Sequence, residues 1–286
     1  LKRTIEQVVI LTHRDPSVAA DSLERSLSLL RSHDVAIWAP AAEWEKHAAL
    51  LDEVGHASRV AVEKDLEGVD LCLVLGGDGT MLRGFHLTRD LRIPVAGVNL
   101  GRVGFLTTIL SDLLEEGLTD LLSGAFTEHP LLGLRARLGG SVFRAANDVV
   151  VGKGDRSDAS SLALRINGVT LFEVLCDGVV VGTPAGSSAY SLAAGGPLLG
   201  ISVDAYVISL VAPHAVGVRP VVAAPDDVLE ITNTALNEDC SVDIDGQRVA
   251  LLPPGAVLEI ETEPAGASLA LLEGDSLYHH FRDRLL

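Results

Sequence analysis

The stretch Val69–Thr80, VDLCLVLGGDGT, sets the fold of the first half of this chain. Leu71–Leu75 is an unbroken apolar run, the pattern of a strand covered on both faces. The chain then breaks into Gly76, Gly77, Asp78, Gly79 and Thr80, and MLRGFHLTRD follows with helical spacing. Strand, glycine turn and helix in that order begin a βα unit of a parallel sheet, whose ligands bind beyond the C-terminal ends of strands. Glycines there let backbone N–H groups approach a ligand closely, and the start of the following helix favours an anion. A carboxylate at that place repels phosphate unless it binds Mg²⁺ or takes a proton from an attacking hydroxyl. The stretch therefore points to phosphoryl-transfer chemistry around Asp78.

Outward from this stretch, strand and helix signals alternate. Val8–Leu11, Val35–Trp38, Val69–Leu75 and Ile93–Val98 read as strands. Pro16–Arg31, Ala41–Leu51, Met81–Arg89 and Ser111–Ser123 read as helices, the last with Ser111 as its N-cap. Such alternation predicts a doubly wound α/β domain. After about residue 124 the texture changes to short strands, from Leu132–Leu138 through Asp148–Val151, Val179–Val181 and Tyr206–Val211 to Val257–Thr262. Turn signals at Asn167-Gly168, Asp245-Gly246 and Pro253–Gly255 separate them. The expected class is therefore α/β plus all-β. An α/β domain over 1–123 carries the glycine turn, and an antiparallel β-sandwich-like domain covers 124–267. Residues 268–286 return to the first domain, where the helical pattern of Asp275–Leu286 is expected to dock.

Composition excludes several classes. With 48% apolar and 21% charged residues the chain is globular, and 4% aromatic content makes its core aliphatic. A net charge of −17 argues against nucleic acid and anionic membranes as partners. Any polyanionic ligand must then meet local arginine, backbone N–H groups or a metal. Only four lysines stand against eighteen arginines, which draws attention to arginines near glycine turns. Cys72, Cys176 and Cys240 are odd in number and far apart, the usage of buried free thiols in a reducing compartment. LKRTIEQVVI carries no secretory signal pattern, and no apolar run approaches the roughly 20 residues of a membrane span. The expected location is cytoplasmic.

Four further segments carry candidate chemistry. In Val98–Thr107, VNLGRVGFLT, Phe105 either joins the core or stands exposed to stack on a planar base, with Gly101 and Gly104 leaving room. Asn147-Asp148 opens an apolar strand, either as a turn or as a pair that reads a base edge and a ribose diol. Cys176–Pro197, CDGVVVGTPAGSSAYSLAAGGP, runs from a strand into a Gly/Ser-rich helix mouth. There Ser187 or Ser188 either caps the helix or helps the helix mouth bind phosphate or a purine edge. In Asp243–Gln247 a hairpin turn at Asp245-Gly246 is the favoured reading, with Gln247 within reach of a ligand. The nine histidines form no cluster with ligand spacing, so no protein-built metal site is expected.

Together these segments resemble the NAD kinase family. The resemblance rests on GGDGT at 76–80, VNLGRVGFLT at 98–107, Asn147-Asp148, DGVVVGTPAGSSAY at 177–190, AGGP at 194–197, Pro213-His214 and DGQ at 245–247. It implies phosphorylation of the adenosine ribose 2′-hydroxyl of NAD, with Asp78 as the general base. Gly76, Gly77, Gly79 and Thr80 would meet the donor phosphates of ATP or polyphosphate, bridged by Mg²⁺ or another divalent metal. Arg83 and Arg156 would face phosphate charge, and Phe105 would lie against adenine. Asn147 and Asp148 would hold base and ribose, helped by Asp177, Ser188, Ala189, Tyr190, Ala193 and Gln247. The resemblance also implies a homodimer or homotetramer, in which residues near Asp177 complete a neighbouring subunit's site. Asp148 stands where the family more often has Glu, Ala185 where Ser or Thr is common, and Ser188 where Thr is usual.

Two other classes share parts of this pattern. A lipid kinase with the same glycine–aspartate turn needs a basic or apolar membrane-facing surface, which a charge of −17 opposes. A non-catalytic NADP(H) sensor has no use for a carboxylate beside phosphate, and Asp78 is present.

Overall fold

The computed structural model describes residues 4–53, 57–60, 63–101, 104–154, 159–215, 217–274 and 282. The chain divides into two compact units, Leu1–Pro130 with Ala267–Leu286, and Leu131–Gly266.

In the first unit, β1 (Gln7–Thr12) leads to α1 (Pro16–Ser32), then β2 (Ala36–Pro40), α2 (Ala41–Glu53) and β3 (Ala57–Val60). Next come β4 (Leu71–Leu75), α3 (Asp78–Thr88), β5 (Val95–Asn99), the short β6 (Ile109–Leu110) and α4 (Leu114–Leu122). Local chemistry sets several of these boundaries. The Asp15 carboxylate accepts the Ser17 N–H at 3.0 Å, and Pro16 occupies the first helical position of α1, where its missing N–H costs nothing. All five residues of β4 and all five of β5 are buried, which is what strands covered on both faces require. The strands pair in parallel in the order β3-β2-β1-β4-β5. Leu27 and Leu30 of α1 and Leu118 and Leu121 of α4 join Leu71, Leu73 and Leu75 in one core. Gly84 brings α3 down on the sheet, since a Cβ there would stand 2.9 Å from Val95 Cγ1 and 3.0 Å from Val74 Cγ2.

In the second unit, β7 (Phe126–Leu138), β8 (Ser141–Ala145), β9 (Asp148–Gly152), β10 (Ser160–Ile166), β11 (Val169–Cys176) and β12 (Gly178–Gly182) follow. Then come α5 (Tyr190–Ala193), β13 (Tyr206–Val211), β14 (Val221–Ala223), β15 (Leu229–Asn233), β16 (Cys240–Ile244), β17 (Gln247–Leu252) and β18 (Val257–Leu272). β7 and β18 begin or end in the first unit. One antiparallel sheet runs β14-β13-β12-β9-β16-β17, and β11-β10-β15-β18 forms the other. Val149, Val151, Val179, Val181 and Val242 of the first pack with Leu162, Leu164, Leu229, Ile231 and Ile260 of the second. This is sandwich packing. Both Asn167-Gly168 (φ 49° and 79°) and Asp245-Gly246 (φ 47° and 78°) place two successive residues at positive φ, as a two-residue hairpin turn of the I′ kind demands.

Several local expectations change. The strands β3 and β14 carry no clear sequence signal. β3, ASRV, is short and two of its residues are exposed. Ser111 is not the N-cap of α4: a turn of 3₁₀ helix over Ser111–Leu113 precedes it, and Leu113 occupies the cap without a side-chain bond. Neither Ser187 nor Ser188 caps α5, a helix of only four residues whose N-cap is Ala189. Ser187 Oγ instead donates to Pro184 O at 2.6 Å and accepts the Leu199 N–H at 2.9 Å, pinning the loop. The final strand runs to Leu272 rather than Thr262. The expected C-terminal helix and Arg156 lie outside the described residues.

Candidate active site

The first unit's strand order reverses between β1 and β4, and such a switch point leaves a crevice beyond the strand ends. A cleft of about 350 Å³ lies there, lined by His13 and Arg14 after β1, Gly77, Gly79 and Thr80 after β4, and Arg83 from α3. The two strand ends are tied together. His13 N–H donates to Leu75 O at 2.8 Å, and Gly76 N–H donates to Val98 O at 3.0 Å. The glycines divide by task. A Cβ on Gly76 would stand 2.4 Å from Thr80 Oγ1, so Gly76 is needed for packing. Gly77 and Gly79 have nothing within 4 Å of a Cβ, so they present an open backbone to the cleft.

Asp78 is the first residue of α3. Its Oδ2 accepts the Phe105 N–H and its Oδ1 the Leu106 N–H, each at 3.0 Å. Two donors, one per oxygen, fix the direction of the carboxylate. Gly104 makes room for it: a Cβ there would come within 2.4 Å of Asp78 Oδ1. Phe105 and Leu106 thus serve Asp78 through their backbone. Phe105 itself is only 6% exposed, against the exposed aromatic that one sequence reading expects. Two adjacent N–H groups turned toward Asp78 bring the Phe105 ring inward.

Arg83 reaches the cleft as expected, but its guanidinium is anchored from behind. Nη1 donates to Thr12 O at 3.0 Å and Nη2 to Glu43 Oε1 at 2.8 Å. Glu43, 1% exposed, is a residue that sequence reading missed, because nothing in AAEWEK marks one glutamate of an amphipathic helix as the buried one.

In the second unit, Asn147 and Asp148 are both buried where β9 begins. Asp245 organises them from the β16–β17 turn. Its Oδ2 accepts the Ala146 N–H at 2.9 Å, and its Oδ1 accepts those of Asn147 and Asp148 at 2.8 and 3.0 Å. Burial first, and the charge of Asp245 second, push the Asp148 carboxyl up to about 7. Asn147 Oδ1 is buried with no partner among the described residues, an acceptor suited to a ligand's N–H or O–H. The Asn147 carbonyl accepts the Thr183 N–H at 2.8 Å, and Gly186 crosses so close that a Cβ would stand 2.0 Å from that oxygen. Gly186–Ser188 and Asn147-Asp148 are thereby brought together. Ser188 Oγ donates to Ala185 O at 3.1 Å, while Ala189, Tyr190 and Ala193 are exposed.

Gln247 is exposed at the start of β17, beside the Asp245-Gly246 turn, and pairs with Ile244, the strand partner of Val149. One expected site residue stands apart from this group. Asp177 precedes β12, whereas Asp148 pairs with Gly182 at the other end of that strand. Five residues of extended chain separate Asp177 from Gly182, roughly 17 Å. Asp177 also faces Lys153, with its carboxylate 3.7 Å from Nζ.

An anion-binding cleft at the switch point of an α/β unit, with an oriented aspartate beside it, is the architecture of a phosphoryl-transfer enzyme. Residues 17–126 match the ATP-NAD kinase N-terminal domain and residues 146–270 the ATP-NAD kinase C-terminal domain. The NAD kinase of Mycobacterium bovis is 32% identical over 292 aligned positions, covering 98% of this chain and 94% of that protein. That of Gemmatimonas aurantiaca is 33% identical over 223, covering 76% and 77%. Among solved structures, yeast NADH kinase complexed with NADH superposes with a TM-score of 0.86 at 20% identity, covering 99% of this chain and 87% of that one. The chain belongs to the NAD kinase family. Among the described residues no helix is long and apolar enough to cross a membrane, and Cys72, Cys176 and Cys240 are buried and free.

Proposed function

We propose that this chain transfers the terminal phosphoryl group of ATP to the 2′-hydroxyl of the adenosine ribose of NAD, giving NADP. The observation that carries this reading is the Asp78 carboxylate, oriented by two backbone N–H groups between the open glycines of a cleft that also holds Arg14 and Arg83. A carboxylate so directed takes the proton of an attacking hydroxyl, while Gly77 and Gly79 N–H groups and Arg83 bind phosphate oxygens. In the second unit Asn147 accepts from the adenine edge and Asp148 engages the ribose diol, with Ser188, Ala189, Tyr190 and Ala193 completing the dinucleotide contacts. Gln247 borders that ligand.

A divalent cation such as Mg²⁺ would enter with the donor phosphates into the cleft lined by Gly77, Gly79 and Arg83. It would neutralise phosphate charge there. The separation of Asp177 from Asp148 supports a role for Asp177 in a neighbouring subunit's site, and hence a homodimer or homotetramer. The edge strand β11 adds to this, exposing Val169, Leu171 and Leu175. Three buried thiols suit a cytoplasmic place.

The test is a coupled assay for NADP, with NAD as acceptor and ATP or inorganic polyphosphate as donor. We expect turnover with ATP, and a loss of about 10²–10⁴-fold in Asp78→Asn with dinucleotide binding retained. Full activity in that variant refutes the general-base assignment.

A further inference from the structure

We propose that Glu43 is a positioning residue of the donor site, holding the Arg83 guanidinium so that its remaining N–H groups face the phosphate-binding cleft. The inference rests on the reading of that cleft given above. Glu43 projects from α2, with its side chain only 2% exposed, so it does not itself touch a ligand in the cleft. Each of its oxygens is spent. Oε1 accepts from Arg83 Nη2 at 2.8 Å. Oε2 accepts the Thr12 N–H at 3.1 Å and the Thr12 hydroxyl at 2.6 Å, and lies 2.7 Å from Lys46 Nζ.

The two cations beside Glu43 have different fates. Lys46 Nζ donates to Thr12 Oγ1 at 2.9 Å and to the carbonyls of Thr12 and His13 at 3.3 and 3.1 Å, besides facing Glu43. An ammonium has three hydrogens, and these partners occupy them. Arg83 spends one N–H on Thr12 O and one on Glu43, out of five. Its side chain lines the cleft and is 28% exposed. Lys46 is thus the counter-charge paired with Glu43, and Arg83 is the group offered to the donor. His47 closes the set, with Nε2 at 3.0 Å from Thr12 Oγ1. Since the Thr12 hydroxyl hydrogen goes to Glu43, that contact requires a proton on Nε2. A buried carboxylate between two cations costs desolvation, and paired placement is what offsets it. Without it, Arg83 and Lys46 repel each other and the guanidinium keeps only its single bond to Thr12 O.

Glu43→Gln separates this from simple core structure. Glutamine keeps the shape but has one acceptor oxygen where Glu43 uses two, so its amide must face either Arg83 or the Thr12–Lys46 donors. We expect the full-length variant to raise the KM for ATP about tenfold or more, with the KM for NAD moved less than twofold. Calorimetric affinity for inorganic tripolyphosphate should fall by a similar factor. The double variant Glu43→Gln/Arg83→Met should be no weaker than Arg83→Met alone. If Glu43→Gln does not fold, Glu43→Gln/Lys46→Met restores the charge balance and should still bind tripolyphosphate about tenfold more weakly. Tripolyphosphate affinity equal to the parent in whichever variant folds, or equal increases in both KM values, overturns the proposal. If the parent protein binds tripolyphosphate but forms no NADP, the kinase reading fails while the calorimetric comparison still decides the role of Glu43.

Discussion

Gly104→Ala tests the placement of Asp78 without touching its chemistry. The residue's φ is not positive, so alanine adopts the same backbone and the effect is steric. A Cβ would lie 2.4 Å from Asp78 Oδ1 and 2.8 Å from Thr107 Oγ1, where ordinary contact begins at 3.4 Å. The threonine hydroxyl can rotate away. The carboxylate must retreat by 3.4 − 2.4 = 1.0 Å, and in doing so it lengthens or loses the 3.0 Å bonds from Phe105 and Leu106. A 1 Å displacement of a reacting group costs about 100-fold in rate, equivalent to about 2.7 kcal/mol of barrier. Single-turnover formation of NADP from saturating NAD and ATP reads this step directly. The expected result is a rate about 100-fold below the parent, with NAD affinity within a few-fold and the fold intact by circular dichroism. A rate within threefold of the parent refutes the claim that Gly104 sets the position of Asp78.

Two further expectations concern the second unit. Gly186→Ala drives a Cβ to 2.0 Å from the Asn147 carbonyl oxygen and 2.5 Å from its carbon, backbone atoms that cannot swing aside. Thermal unfolding should show a loss of about 2 kcal/mol or more, and any folded protein should bind NAD weakly. Asp148 titrates near 7 in the folded chain against 3.8 in the unfolded one, so the folded state binds the extra proton between those values. The proton is released as pH rises through about 7, and stability should fall from about pH 4 to about pH 7 by an amount on the order of a few kcal/mol. Asp148→Asn should remove that slope in denaturant titrations across the range and be the more stable protein at pH 8; an unchanged slope refutes the assignment.

Much of the architecture was legible in local pattern. The run Leu71–Leu75 followed by glycines could only be a covered strand entering a turn, and the Asn-Gly and Asp-Gly pairs announced hairpins that the positive φ values bear out. β3 escaped because a short edge strand needs no continuous apolar face. The serines at 187 and 188 looked like caps because hydroxyls before a helix usually are. Here the helix is too short to need them, and Ser187 holds Leu199 instead. Asp245 read as an ordinary turn residue, yet its carboxylate gathers three N–H groups from a segment about 98 positions earlier.

The sequence by itself determined most of the elements and the residues proposed to carry chemistry, because periodicity, glycine and turn preferences act between near neighbours. It named Asp78, Asn147 and Asp148. Only the tertiary structure decided what holds them. Asp78 is aimed by backbone 27 and 28 positions away, and Arg83 by a glutamate 40 positions away. Such partners meet through the stacking of strands and helices, and hydrogen bonding leaves no periodic trace in the chain. The glycine turn thus marks where the chemistry lies, and the packing around it sets the direction in which Asp78 and Arg83 face.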